Sequence, residues 1–147
     1  MVAKAVEELG DPRNIRPMTG QAEHIQLPDE SVDFVIFKGM LHEVGDVPKA
    51  LLEAKRVCKP NGTVFILDFT PFPAKWLRSS NLKSILKNPR MIFSGRLNKH
   101  PGFSREDLAD YFAWTGFSLE GYESIELEGG FAGRRVPMFL AKAQKRA

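Results

Sequence analysis

Residues 19–69 read TGQAEHIQLPDESVDFVIFKGMLHEVGDVPKALLEAKRVCKPNGTVFILDF, and this stretch decides the fold. Val32 to Phe37 is a nearly unbroken apolar run of strand length, the pattern of a strand covered on both faces in a parallel sheet. Thr63 to Phe69 is a second such run. Between them Ala50, Leu51, Ala54, Val57 and Cys58 recur at helical spacing and form one apolar stripe, while Asp46 can accept the free amides of a first turn. The spacing therefore predicts a helix over Asp46 to Lys59. Lys59-Pro60-Asn61-Gly62 stops it, because proline presets its own dihedral and Asn or Gly tolerates the left-handed region. Strand, helix and strand make a right-handed βαβ unit. Phe34, Ile36, Leu51, Ala54, Val64 and Ile66 are its expected buried residues.

Outward from this unit the signals weaken. Val2, Ala5, Val6 and Leu9 have helix-compatible spacing, with Gly10 as a stop. Asn14 to Thr19 suits a strand, although Pro17 lacks a ladder donor and suggests an edge or an early end. Downstream, Ser104-Arg105-Glu106-Asp107 offers a capping pattern before Leu108, Ala109, Phe112 and Ala113, and Gly116 can end that helix in the left-handed conformation. Two β-prone runs, Ser118 to Leu127 and Arg135 to Ala143, flank a loop with Gly129, Gly130 and Gly133, as in an antiparallel hairpin.

Composition bounds the rest. The 147 residues, 43% hydrophobic, suit one compact domain over 1–147. No apolar run approaches the roughly 18 residues of a spanning helix, and the N-terminus lacks a basic-then-apolar secretory signature. A soluble, cytoplasmic protein without a transmembrane segment is the expectation. The single cysteine, Cys58, excludes an internal disulfide and suits a small buried hydrophobe. The net charge of +3 is uneven. Between Asp68 and Glu106 there is no acid, yet Lys75, Arg78, Lys83, Lys87, Arg90, Arg96, Lys99 and Arg105 fall there, interleaved with Trp76, Ile85, Ile92 and Phe93. This basic, apolar segment suits a lid, a contact surface or a solvated helical face. Without a recognition motif it does not point to nucleic acid.

The order of acid-rich loop, apolar strand, Leu41-His42, capped helix, Lys59-Pro60-Asn61-Gly62 turn and strand ending in Asp68 resembles the class I S-adenosylmethionine-dependent methyltransferase family, in its small-molecule methylase-like (type 11) branch. The closing runs GFSLEGYESI and VPMFLAKA match the family's ending, so the resemblance covers about residues 14–145. It implies an α/β, truncated Rossmann-like methyltransferase fold, a mostly parallel sheet with an antiparallel C-terminal hairpin, and a basic insertion at about 70–103. It also implies S-adenosylmethionine as cofactor and a small-molecule acceptor. The family's glycine-rich loop and the acid ending its second strand have no counterpart before Thr19, so weak binding or none is expected of the isolated chain.

Two loops at the carboxyl ends of strands remain, where ligands sit in open parallel sheets. Gly20, Gln21 and Ala22 stand where the family contacts adenine, with Gln21 replacing an acid; its carbonyl can still accept, without charge assistance. Lys38, Gly39 and His42 belong to the segment that passes the methionine portion and faces the acceptor, where Gly39 permits close approach. Transfer from a sulfonium is an in-line displacement governed by alignment and exclusion of water, and no catalytic residue is assigned. His42 beside Glu43 is the one tempting acid–base pair, but adjacent helical residues point apart and a packing role fits His42 better. No metal-ligand spacing is present. The alternative to an enzyme is a non-catalytic binding or assembly module on a degenerate methyltransferase fold. Missing central strands would leave open edges, so a homo-oligomer is expected.

Overall fold

The computed structural model describes residues 15–71, 100, 102–127 and 135–146. The expected helix at Val2 to Leu9, the basic segment Lys75 to Lys99 and the Gly129 to Gly133 loop lie outside the described residues. Strand β1 (Val32–Lys38) leads through a short 3-10 turn (Leu41–Glu43) to helix α1 (Val47–Val57), which runs directly into strand β2 (Cys58–Phe69). Helix α2 (Arg105–Thr115) and strands β3 (Phe117–Leu127) and β4 (Val136–Lys145) follow. The sheet order is β1-β2-β4-β3. β1 and β2 are parallel, and β4 pairs antiparallel with both β2 and β3.

The βαβ unit forms as its sequence dictates. Asp46 caps α1 by accepting from the Lys49 amide, and Val47, Ala50, Leu51, Ala54 and Val57 bury the predicted stripe. Cys58 is buried, but as the first residue of β2 rather than on the helix. The Lys59 to Gly62 turn survives as an excursion within β2. Val32 pairs with Cys58 and Phe34 with Thr63, so the intervening residues loop out, with Asn61 at φ 62°. At the other end of the molecule, Ser104 and Asp107 form a reciprocal capping box on α2, and Gly116 closes it at φ 81°.

Both helices pack on one face of the sheet. Phe37 of β1, Val64 and Ile66 of β2, and Phe139, Ala141 and Ala143 of β4 form its buried side, continuous with Leu41, Val47, Leu51, Phe103, Leu108, Phe112 and Phe117. Tyr122 stacks on Phe139 with ring centroids 5.2 Å apart. Leu51, Ala54, Val64 and Ile66 are buried as expected.

Phe34 and Ile36 are not: they are 63% and 66% exposed. Side chains alternate along a strand, and these two face the side on which the described residues place no helix. An unbroken apolar run suits a strand covered twice, but it does not supply the second cover. Residues 15–20 also depart from expectation, forming no strand; the local structure there is a single bridge between Gln21 and His24. Pro17 cannot donate to a ladder, which accords with the early loss of extended pairing.

Candidate functional site at the carboxyl ends of β1 and β2

The loop after β1 is built around one carboxylate. Asp68, fully buried near the carboxyl end of β2, accepts through Oδ2 from the amides of Leu41 (2.8 Å) and His42 (3.2 Å). Through Oδ1 it meets His42 Nδ1 at 2.6 Å and accepts from the Phe69 amide at 2.8 Å. A strand end thereby caps the 3-10 turn that follows its neighbouring strand, and the amides freed at the start of that turn find a charged acceptor. His42 is only 5% exposed, and its ring packs edge-on against Phe69 with centroids 4.7 Å apart. An imidazole that donates Nδ1–H to a carboxylate carries its lone pair on Nε2 when neutral, which fixes both tautomer and orientation. Nε2 lies 3.9 Å from the Glu43 carboxylate. His42 is thus positioned by Asp68 rather than by Glu43, the neighbour whose pairing with it the sequence made tempting but disfavoured.

Lys38 ends β1 with its side chain exposed. Gly39 follows at φ 59°, with its amide donating to the Leu67 carbonyl at 2.7 Å; a Cβ there would meet nothing within 4 Å. Its glycine is required by the backbone conformation rather than by crowding. The space beside it is open, as a ligand loop needs.

Gln21 to His24 form a turn closed by the His24 amide on the Gln21 carbonyl, with Gly20 just before it, and Ala22 packs against the core. Glu23 joins the two loops, its carboxylate accepting from the Gly45 amide at 3.1 Å. The Gln21 to His24 turn and the Lys38 to His42 loop are therefore tied to each other through Gly45. From below, Arg56 of α1 donates to the carbonyls of Ile25 and Leu27 and to Asp29 and Glu53, while Glu53 accepts from the Ile25 amide. The Arg56 hydrogen bond holds the Glu53 carboxyl far below its usual 4.5, at about 2, against the opposing effect of burial and with help from the Ile25 amide. Arg56 in turn is held further into its charged range by Glu53 and Asp29.

Three positioning residues escaped the sequence reading. Asp68 entered it only as the acid ending a strand, Glu23 only within the acid-rich loop, and Arg56 not at all. Strand-terminal acids carry a signal, since the carboxyl end of a parallel strand faces a neighbouring loop; a contact between residues 26 to 27 positions apart carries none. A hollow of about 460 Å³ lined by Asp29, Glu30, Leu52, Lys55, Arg56 and Lys145 lies toward the amino ends of the strands, away from both loops. Its charges are largely paired, Arg56 with Asp29 and Lys145 with Glu30. Cys58 is no nucleophile, since burial pushes its thiol further into the protonated form.

Comparison with known proteins accords with this geometry. Residues 1–66 match the model of a methyltransferase domain family. Over 70 residues the chain is 34% identical to a ubiquinone/menaquinone biosynthesis C-methyltransferase of Caulobacter vibrioides, covering 48% of this chain and 27% of that protein. Over 146 residues it is 27% identical to a malonyl-[acyl-carrier protein] O-methyltransferase of Geobacter sulfurreducens, covering 99% of this chain and 52% of that one. The chain thus spans about half or less of these relatives. A SAM-dependent methyltransferase from Methanosarcina mazei superposes with a TM-score of 0.67 at 20% identity, covering 99% of this chain and 77% of the other. Residues 1–66 thus match a methyltransferase domain family, and the fold over nearly the whole chain is that of a solved SAM-dependent methyltransferase.

Proposed function

We propose that this chain forms the adenine-side and acceptor-side part of an S-adenosylmethionine-dependent methyltransferase acting on a small molecule. The observation that carries the reading is the loop at residues 38–45, fixed by Asp68 and left open beside Gly39. Gly20, Gln21 and Ala22 would meet the adenine, and Lys38, Gly39 and His42 the methionine portion. The donor set fits that role in part: amides, an amide side chain and an open glycine are present, while the acid of the family's adenine loop is replaced by Gln21. Bound there, the cofactor would supply an already activated methyl group. The protein's task is then alignment and exclusion of water, for which a loop held by three hydrogen bonds to one buried carboxylate is suited. His42, held through Nδ1 by Asp68, keeps Nε2 3.9 Å from the Glu43 carboxylate and almost out of solvent.

One domain over 1–147 with a basic insertion at about 70–103 accords with this reading, as does a cytoplasmic setting for a chain whose one thiol is free and buried. Among the described residues no helix is long and apolar enough to cross a membrane. The replacement at Gln21 favours one alternative, a binding or assembly module that has lost the cofactor.

Titration of the isotope-labelled chain with S-adenosylhomocysteine, followed by amide NMR, separates the two. Methyl transfer predicts saturable shifts confined to residues 20–24 and 38–45, with a dissociation constant of roughly 0.1 mM or weaker because few contacts are available. Gly39→Val should abolish them. No shift at millimolar ligand, in a chain whose spectrum is folded, would leave the non-catalytic module as the function.

A further inference from the structure

The strand edge of β1 is the most conspicuous unsatisfied surface among the described residues, and it is independent of methyl transfer. β1 is an outer strand of the described sheet, with β2 on one side only. The Gly39 amide is directed at β2, so alternation directs the amides and carbonyls of Phe34 and Ile36 toward the open side. The same two residues carry the most exposed apolar side chains of the strand, and the Phe34 ring lies 6.2 Å from Phe65 on the same open face. A flat apolar edge with unpaired ladder groups is a template for another strand.

We propose that the occupant is β1 of a second copy of this chain, paired antiparallel about a two-fold axis through Val35. Three observations select that arrangement. First, a two-fold perpendicular to the sheet keeps each residue on its own face, so opposed residues must differ by an even number. The register that pairs the whole of Val32–Lys38 sets Val35 against the partner's Val35 and Phe34 against the partner's Ile36. Second, this register joins the outward amides and carbonyls of Phe34 and Ile36 in closely hydrogen-bonded pairs, and brings both apolar side chains of each copy together on one face. Third, antiparallel pairing keeps Lys38, which ends the strand, away from the partner's Lys38, whereas parallel pairing would set the two cations side by side; the acids near the start of the strand are already matched within each copy, Asp29 by Arg56, Glu30 by Lys145 and Asp33 by Lys59. The two four-stranded sheets then become one continuous sheet, and Phe34, Ile36 and Phe65 of both copies share a cluster.

Sedimentation equilibrium of the full chain between roughly 1 and 100 µM tests the association, with a reversible dimer expected. Phe34→Glu together with Ile36→Glu should raise the dissociation constant at least about 100-fold while leaving the far-ultraviolet circular dichroism unchanged, since both side chains are exposed. The register has its own readout. Non-hydrogen-bonded opposed residues stand close enough for a disulfide, so Val35→Cys should form a covalent dimer under mild oxidation. Asp33→Cys, opposite the partner's Phe37, should not. A monomer at the highest concentration would overturn the proposal and return the edge to a strand from elsewhere in a longer polypeptide. So would a dimer that survives the double variant or fails to link through Val35→Cys.

Discussion

The two faces of the β1–β2 pair are built from the same residue types and have opposite fates. On one, Phe37, Val64 and Ile66 disappear beneath α1 and α2; on the other, Phe34 and Ile36 stand two-thirds exposed beside half-buried Phe65. Hydrophobicity alone does not tell these faces apart. What differs is the cover: the closed face receives both helices through short connections, whereas nothing among the described residues reaches the open one. The closed face holds the fold, and the open face is free for association.

The sharpest way to break this division is to attack the closed side where it meets the site. Asp68→Ala would strand the amides of Leu41 and His42 and the Nδ1 of His42 in a buried setting. Each stranded donor costs about 1–3 kcal/mol unless water reaches it, so a loss of roughly 3 kcal/mol or more is expected in urea unfolding. Faster hydrogen exchange at Leu41 and His42 should accompany it. Ser104→Ala removes the cap of α2, the helix that closes the same face, and should cost about 1 kcal/mol. Thermal unfolding would register it.

A smaller effect separates the loop support from the core. The folded Glu53 carboxyl is depressed below its unfolded value, so its contribution is present above pH 4.5 and is lost as pH falls toward about 2. The stability difference between wild type and Glu53→Gln should therefore shrink across that window and vanish at its acid end. Smallest of all is Phe34→Ala: with its side chain in solvent, unfolding of the dilute monomer should change by no more than about 0.5 kcal/mol.

The legible parts of this molecule are those governed by local chemistry. Asp46, the Ala50 to Val57 stripe, the Ser104 box and Gly116 each act within a few residues, and all stand where the sequence puts them. The antiparallel β3–β4 pairing was legible too, from two β-prone runs flanking a glycine-rich loop. Burial of Phe34 and Ile36 was not, because period and apolarity report that a strand can be covered, while cover itself depends on what packs there. The site divides in the same way. Gly39 shows its purpose in its own backbone angle, whereas the Asp68–His42 contact joins residues on different elements and becomes visible only with the parallel register of β1 and β2. Pro17 pointed to an edge or an early end for the strand expected at residues 14–19, and the described residues 15–19 form none.

One paired measurement bears most directly on the division between the faces. Ile66→Ala and Ile36→Ala make the same chemical change on adjacent strands, one residue fully buried and the other two-thirds exposed. Urea unfolding of both variants at low and high protein concentration should show a loss of about 2–5 kcal/mol for Ile66→Ala at either concentration. For Ile36→Ala it should show less than about 0.5 kcal/mol when dilute and a loss that grows as the chain is concentrated. Equal losses that ignore concentration would contradict the account, since the open face would then be part of the fold.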